Sequence, residues 1–133
     1  MNPVSYFEIP VADLERAIAF YSAVFDTTFE RAHVDGNAMA FFPYAPGHPG
    51  ASGALAQGDS YTPGQAGARL YFTVQDIRAT LDKAVAAGGR VLYPPTLVGA
   101  FGEVAEFEDC EGNCIALHAP AVAADGHGDA GAA

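Results

Sequence analysis

Tryptophan is absent, cysteine occurs twice, and lysine and arginine together occur only six times. Each scarcity excludes something. Two cysteines, Cys110 and Cys114, cannot staple a small secreted scaffold, so they read as free thiols in a reducing compartment. Sixteen acidic residues against six basic ones leave a formal charge of −10, with no Lys/Arg cluster. That field repels a phosphate backbone, so no nucleic acid is expected as a partner. No apolar run approaches the length of a bilayer span, so no membrane partner is expected. The stretch "MNPVSYFEIP" lacks the basic start and long apolar run of a secretory leader. The expected location is cytoplasmic.

Hydrophobic residues make up 50% of the chain and charged ones 17%, which is a globular balance. At 133 residues there is room for one domain with a real core, or two small halves sharing one. "PVSYFEIP" predicts a buried strand closed by Pro10. Asp13 is placed to cap a helix, with Glu15 in its first turn. Leu14, Ala17, Ile18, Tyr21, Val24 and Phe25 recur at helical spacing. "TTFERAHV" and "AMAFFPY" predict strands joined by the hairpin signal "DGN". "GALAQ" is a short strand candidate after the loop "APGHPGASG".

The pattern then repeats. "ARLYFTV" predicts a strand, and Asp76 caps a helix carrying Ile77, Leu81, Ala84 and Val85 on one face. Gly88-Gly89 ends that helix. "RVLYPPTLV", "GEVAEFED" and "CIALHAP" predict three more strands, the last two turned by "EGN". Matching Tyr-Phe at Tyr6 and Tyr71 gives an offset of 65 residues, while matching Asp13 and Asp76 gives 63. On this reading the second strand-to-helix connection is two residues shorter.

Two copies at so long a period predict a duplicated unit and not a solenoid. One βαβββ unit cannot bury both faces of its sheet. The expectation is an α+β fold: two tandem βαβββ modules forming one curved mixed sheet around a cleft, with helices on the outer face. A single domain spans 1–120, with module one at about 3–58, a linker at 59–67 and module two at about 68–119. Residues 121–133 are small and polar and are expected to be a disordered tail.

Three stretches carry a resemblance: "FEIPVADLERAIAFYSAVF", "YFTVQDIRATLDKAVAAGG" and "FEDCEGNCIALH". Together they resemble the vicinal oxygen chelate superfamily, which includes glyoxalase I, bleomycin- and fosfomycin-resistance proteins and extradiol dioxygenases. Cys110 stands where the family's last motif usually has proline. The resemblance implies four metal ligands, mostly His and Glu, at positions that fall here on Tyr6, Ala54, Arg69 and Ala116. None of these is a good ligand for a divalent cation, so no metal and no cofactor are expected. His33, His48 and His127 do not converge at ligand spacing, and Cys110 and Cys114 have no second pair. The resemblance also implies a homodimer.

Starting from the four positions the resemblance places in the cleft, Tyr6, Ala54, Arg69 and Ala116, strand alternation adds Glu8, Ala56, Tyr71, Thr73 and His118 to the inner face. The opposite parity, Phe7, Ile9, Leu70, Phe72, Val74, Ile115 and Leu117, is uniformly apolar. Tyr6, Ala54, Arg69, Tyr71 and Ala116 are therefore the candidate ligand-binding residues, with small alanines leaving volume. Arg69 could grip a carboxylate or phosphate, or simply neutralise Glu8. Glu8 and His118 are the candidate catalytic pair. Phe41 and Phe42, near Tyr44, read as core or dimer contact. The sequence supports a metal-independent binder of a small anionic or aromatic molecule. The alternative is a glyoxalase- or dioxygenase-like enzyme, a lyase or isomerase. It would use a non-standard metal site or metal-free acid–base chemistry by Glu8 and His118.

Overall fold

The computed structural model describes residues 1–121, so most of the expected tail lies outside the described residues. Along the chain run β1 (Tyr6–Pro10), α1 (Leu14–Phe25), β2 (Glu30–Val34), β3 (Asn37–Phe41) and β4 (Ser52–Gln57). They are followed by β5 (Tyr71–Thr73), α2 (Ile77–Ala86), β6 (Arg90–Leu97), a 3-10 turn (Gly99–Phe101), β7 (Glu103–Glu108) and β8 (Cys114–Ala119). The class is α+β, and strand–helix–three strands occurs twice. The strands form two open four-stranded sheets, ordered β1-β4-β3-β2 and β5-β8-β7-β6. In each sheet the outer pair closed over the helix is parallel and the other pairs are antiparallel. A parallel pair needs a crossover connection, and each helix lies within one.

The chain divides into two compact units. The first holds residues 1–64 and 110–113; among the described residues the second holds 65–109 and 114–121. The "EGN" turn, read from sequence as part of module two, is thus built into the first unit. Its residues show why. The Glu111 carboxylate accepts from the backbone N–H groups of Ala12 (2.7 Å) and Asp13 (3.2 Å), and from the Arg16 guanidinium (2.9 Å). Asn113 accepts from Gly64 N–H at 2.9 Å and donates to the Pro10 carbonyl at 2.8 Å.

Both helices start as the sequence predicts. Asp13 accepts from the Arg16 N–H at 3.1 Å, and Asp76 from the Ala79 N–H at 3.0 Å. On α1 the buried set is Leu14, Ala17, Phe20, Tyr21 and Val24. Phe20, missed by the predicted stripe, goes in, while Ile18 and Phe25 are half-buried. On α2 the inward residues are Ile77, Thr80, Leu81 and Ala84, and Val85 is exposed. Thr80 can occupy that place because its hydroxyl donates to the Asp76 carbonyl at 3.0 Å.

The strand registers correct the repeat offset. Val11 N–H donates to the Ala56 carbonyl, and Val74 N–H donates to the His118 carbonyl, both at 2.9 Å. Glu8 pairs with Ala54, and Tyr71 pairs with Ala116. Residue 8 therefore corresponds to residue 71, an offset of 63 in the strand as in the helix. The Tyr-Phe echo is out of register by two, and the second connection is not shorter. A shift of two preserves strand parity, so the face assignments survive the error.

In the first unit the helix-side face carries Ile9 and Leu55 in register, both essentially buried. Phe42 is the hub of the rings beside them: Phe29 lies 4.7 Å away, Phe7 5.5 Å and Tyr21 6.2 Å. The expected core role of Phe42 is what the structure shows. Gly53 lies against Phe7 so closely that a Cβ there would come within 2.2 Å of the ring. In the second unit Leu117 and Phe107 are fully buried on the corresponding face.

Candidate functional site

The other face of the first sheet carries the chemistry. A row of register partners crosses it: Glu8, Ala54, Phe41, Glu30. Ala54, Ala56 and Met39 form a buried apolar floor, with Phe41 and Tyr61 packed against it. Over that floor the Glu8 carboxylate accepts two phenols. Tyr6 donates to Oε2 at 2.9 Å, and Tyr61 donates to Oε1 at 2.6 Å. Burial, and then the neighbouring carboxylate, push the Tyr6 phenol up to about 12. The Glu8 hydrogen bond raises Tyr61 as well. Both phenols are therefore hydrogen-bond donors at neutral pH, not phenolates.

Tyr6, Glu8 and Ala54 are thus brought together as parity predicts. Tyr61 was missed. Its position in the Gly/Pro-rich segment at 59–67 gave no periodic signal, and the only hint was an aromatic residue inside an otherwise polar linker. An open cavity of about 660 Å³ lies at one end of the same sheet. Phe29, Phe41, Phe42, Tyr44, Glu30 and Ser52 are among the residues lining it. Phe41 belongs to both the cavity wall and the site floor, and Ser52 is the register partner of Tyr6.

The second unit has its own row: Tyr71, Ala116, Glu106, Tyr93. Arg69 pairs with Glu106 at 2.9 Å, which corrects the expected neutralisation of Glu8 by Arg69. Glu106 went unnoticed in "GEVAEFED", although its alternation with the buried Ala105 and Phe107 was readable. Arg69 is held in its charged form first by the Glu106 carboxylate. The Cys114 thiol lies 3.7 Å from Glu106 Oε1, and burial followed by that carboxylate raises its pKa. His118 Nε2 donates to the Phe101 carbonyl at 2.7 Å, and the two rings stack at 4.4 Å. The short turn Gly99–Phe101, absent from the predicted elements, is what delivers Phe101. Among the described residues, no group of three His, Cys, Asp or Glu is arranged to hold a metal ion.

Residues 4–117 match the model of the glyoxalase/bleomycin resistance protein/dioxygenase superfamily. The chain belongs to that superfamily. A glyoxylase-like domain-containing protein of Didymella fabae is 30% identical over 118 residues, covering 86% of this chain and 91% of the relative. A glyoxylase/bleomycin resistance protein/dioxygenase domain from Frankia sp. EAN1pec superposes with a TM-score of 0.71 at 19% identity, covering 96% and 98% of the two chains. The fosfomycin resistance protein FosX of Listeria monocytogenes gives a TM-score of 0.67 at 21% identity, covering 92% and 94%. At such identities these two structures establish shared fold alone. No helix among the described residues is long and apolar enough to cross a membrane.

Proposed function

We propose that this superfamily member is a metal-independent small-molecule-binding protein that takes an aromatic compound on the open face of its first unit. One observation carries the reading: the donor set at the four positions where the family resemblance places metal ligands. Tyr6 is a protonated phenol donating to Glu8, and Arg69 is a guanidinium paired with Glu106. Ala54 and Ala116 have no donor atom at all, and both are fully buried. That set does not fit a divalent cation, which needs deprotonated nitrogen, oxygen or sulfur ligands. What it leaves in the first unit is Phe41 and Tyr61 packed over buried alanines, an aromatic lining that suits a flat apolar group.

The sequence left an anionic ligand and an aromatic one equally open. The geometry favours the aromatic. An anion would have to compete with Glu106 for Arg69, on a chain of net charge −10. The acid–base alternative would leave His118 only Nδ1 for proton transfer, because Phe101 already holds Nε2. A homodimer on family grounds, and a cytoplasmic location from the sequence, complete the proposal.

Elemental analysis of purified protein and a ligand screen with and without EDTA test this. The expected result is no stoichiometric divalent metal and unchanged binding after chelation. A divalent ion at one per chain whose removal abolishes binding would overturn it.

A further inference from the structure

Every arginine of the chain is committed to a carboxylate, and none of those carboxylates is Glu8. The pairs are Arg16–Glu111, Arg31–Glu15, Arg69–Glu106, Arg78–Glu103 and Arg90–Glu108. The sixth basic residue, Lys83, sits in the last turn of α2. Glu8 is half-buried on the open sheet face, and its partners there are two neutral phenols. A carboxylate can accept about four hydrogen bonds, so each oxygen retains capacity after its phenol.

From this we infer that the ligand carries an organic cation, a protonated amine on an aromatic body, whose ammonium pairs with Glu8. The inference rests on the reading of this face as the ligand site. Its logic is desolvation. Any ligand seated beside the half-buried Glu8 strips water from its carboxylate. A neutral ligand leaves that charge with its two phenols only, and an anion adds repulsion. An ammonium group replaces the lost water with a charge-assisted hydrogen bond. Phe41 and Tyr61, packed against the floor, supply aromatic surface beside the carboxylate. Glu30, three strands along the same row, adds a second negative charge at the cavity wall.

The test is an amide chemical-shift titration of labelled protein with three matched probes. These are 2-(1-naphthyl)ethylamine, its neutral counterpart 1-naphthaleneethanol, and the anion 1-naphthaleneacetate. The amine should bind at least about tenfold more tightly than the alcohol, shifting the amides of Phe41, Ser52 and Ala54. Glu8→Gln should abolish the preference for the amine over the alcohol. The wild-type ranking decides the matter even if that variant does not fold. If the alcohol or the anion binds those amides as tightly as the amine, the cation inference fails and the aromatic site stands. If no probe shifts those amides, the site reading fails and takes this inference with it.

Discussion

The two modules exchange acid and aromatic, position by position, around a shared alanine on these faces. In the first the row reads acid, alanine, aromatic, acid: Glu8, Ala54, Phe41, Glu30. In the second it reads aromatic, alanine, acid, aromatic: Tyr71, Ala116, Glu106, Tyr93. Backbone geometry does not account for the difference. The N-caps match, with φ −134° and ψ 98° at Asp13 against −133° and 100° at Asp76. Strand order matches as well, although β6 pairs with β7 through register shifts that β2 and β3 lack. What differs is how the acid is satisfied. Glu106 lies inside its row and has Arg69, while Glu8 lies at the end of its row and has two phenols. One face is internally neutralised. The other keeps a net negative charge available to a ligand.

If the backbone repeat is real, equivalent core substitutions should cost alike. Leu55 and Leu117 each follow the central alanine and are fully buried. Leu55→Ala and Leu117→Ala should each destabilise by about 2–5 kcal/mol in urea unfolding, from lost apolar burial and the cavity left behind. A near-zero cost at one site only would show that the modules do not share a packing scheme.

The helix starts should break the symmetry. The Glu111 side chain is 1% exposed and receives two backbone N–H groups ahead of α1 as well as Arg16. At α2 the side-chain cap is Asp76, accepting from Ala79 N–H. Glu111→Ala should cost about 2–3 kcal/mol, because charge-assisted bonds to the backbone are lost. Asp76→Ala should cost about 1 kcal/mol, the usual worth of a cap. Equal costs would mean that the inserted turn adds nothing to the first unit beyond an ordinary cap.

How much of this was legible follows from which forces leave a periodic trace. Burial does. Alternation in "YFEIP" and "CIALHA" gave the correct faces, and the Asp caps gave both helix starts. Partner choice between polar groups does not. Arg69 could have met Glu8 or Glu106, and only the β7–β8 register, which sets Glu106 opposite Ala116, decides for Glu106. Tyr61 reaches Glu8 from a segment without secondary structure, over a sequence separation of 53 residues. No local pattern encodes such a contact. The Tyr-Phe echo misled for a related reason: two aromatic–aromatic matches outweighed the Asp frame, although the cap is the feature fixed by geometry.

The phenol-held carboxylate has a spectroscopic signature that the ion-paired one lacks. Tyr6 should ionise late in an ultraviolet titration, near pH 12. Its folded-state pKa lies above the unfolded value, so the contribution to stability is complete below about pH 10. That contribution is lost as pH rises through about 12. Tyr6→Phe should remove the late phase, and Glu8→Gln should move it to lower pH by removing the anion that opposes a phenolate. A late phase of undiminished size after Tyr6→Phe would assign it to Tyr61, the other phenol that Glu8 raises, and not to Tyr6.

The smallest effect concerns the ion-paired acid, and it reads the second face as the phenol titration reads the first. The Cys114 thiol is raised by burial and then by Glu106, while Arg69 acts in the opposite sense. In a Cys110→Ser background, alkylation at pH 8 should therefore be slower than for an unhindered thiol, since the thiolate is the nucleophile. Arg69→Met should slow it further, because the one stabilising charge is removed. Glu106→Gln should speed it, because the opposing carboxylate is removed and the guanidinium is left to the sulfur. The two substitutions break one ion pair from its two ends, so a purely steric effect would move both rates the same way. Opposite movement is what a neutralised pair requires, and parallel movement would show that Glu106 and Arg69 do not act on the thiol as a couple.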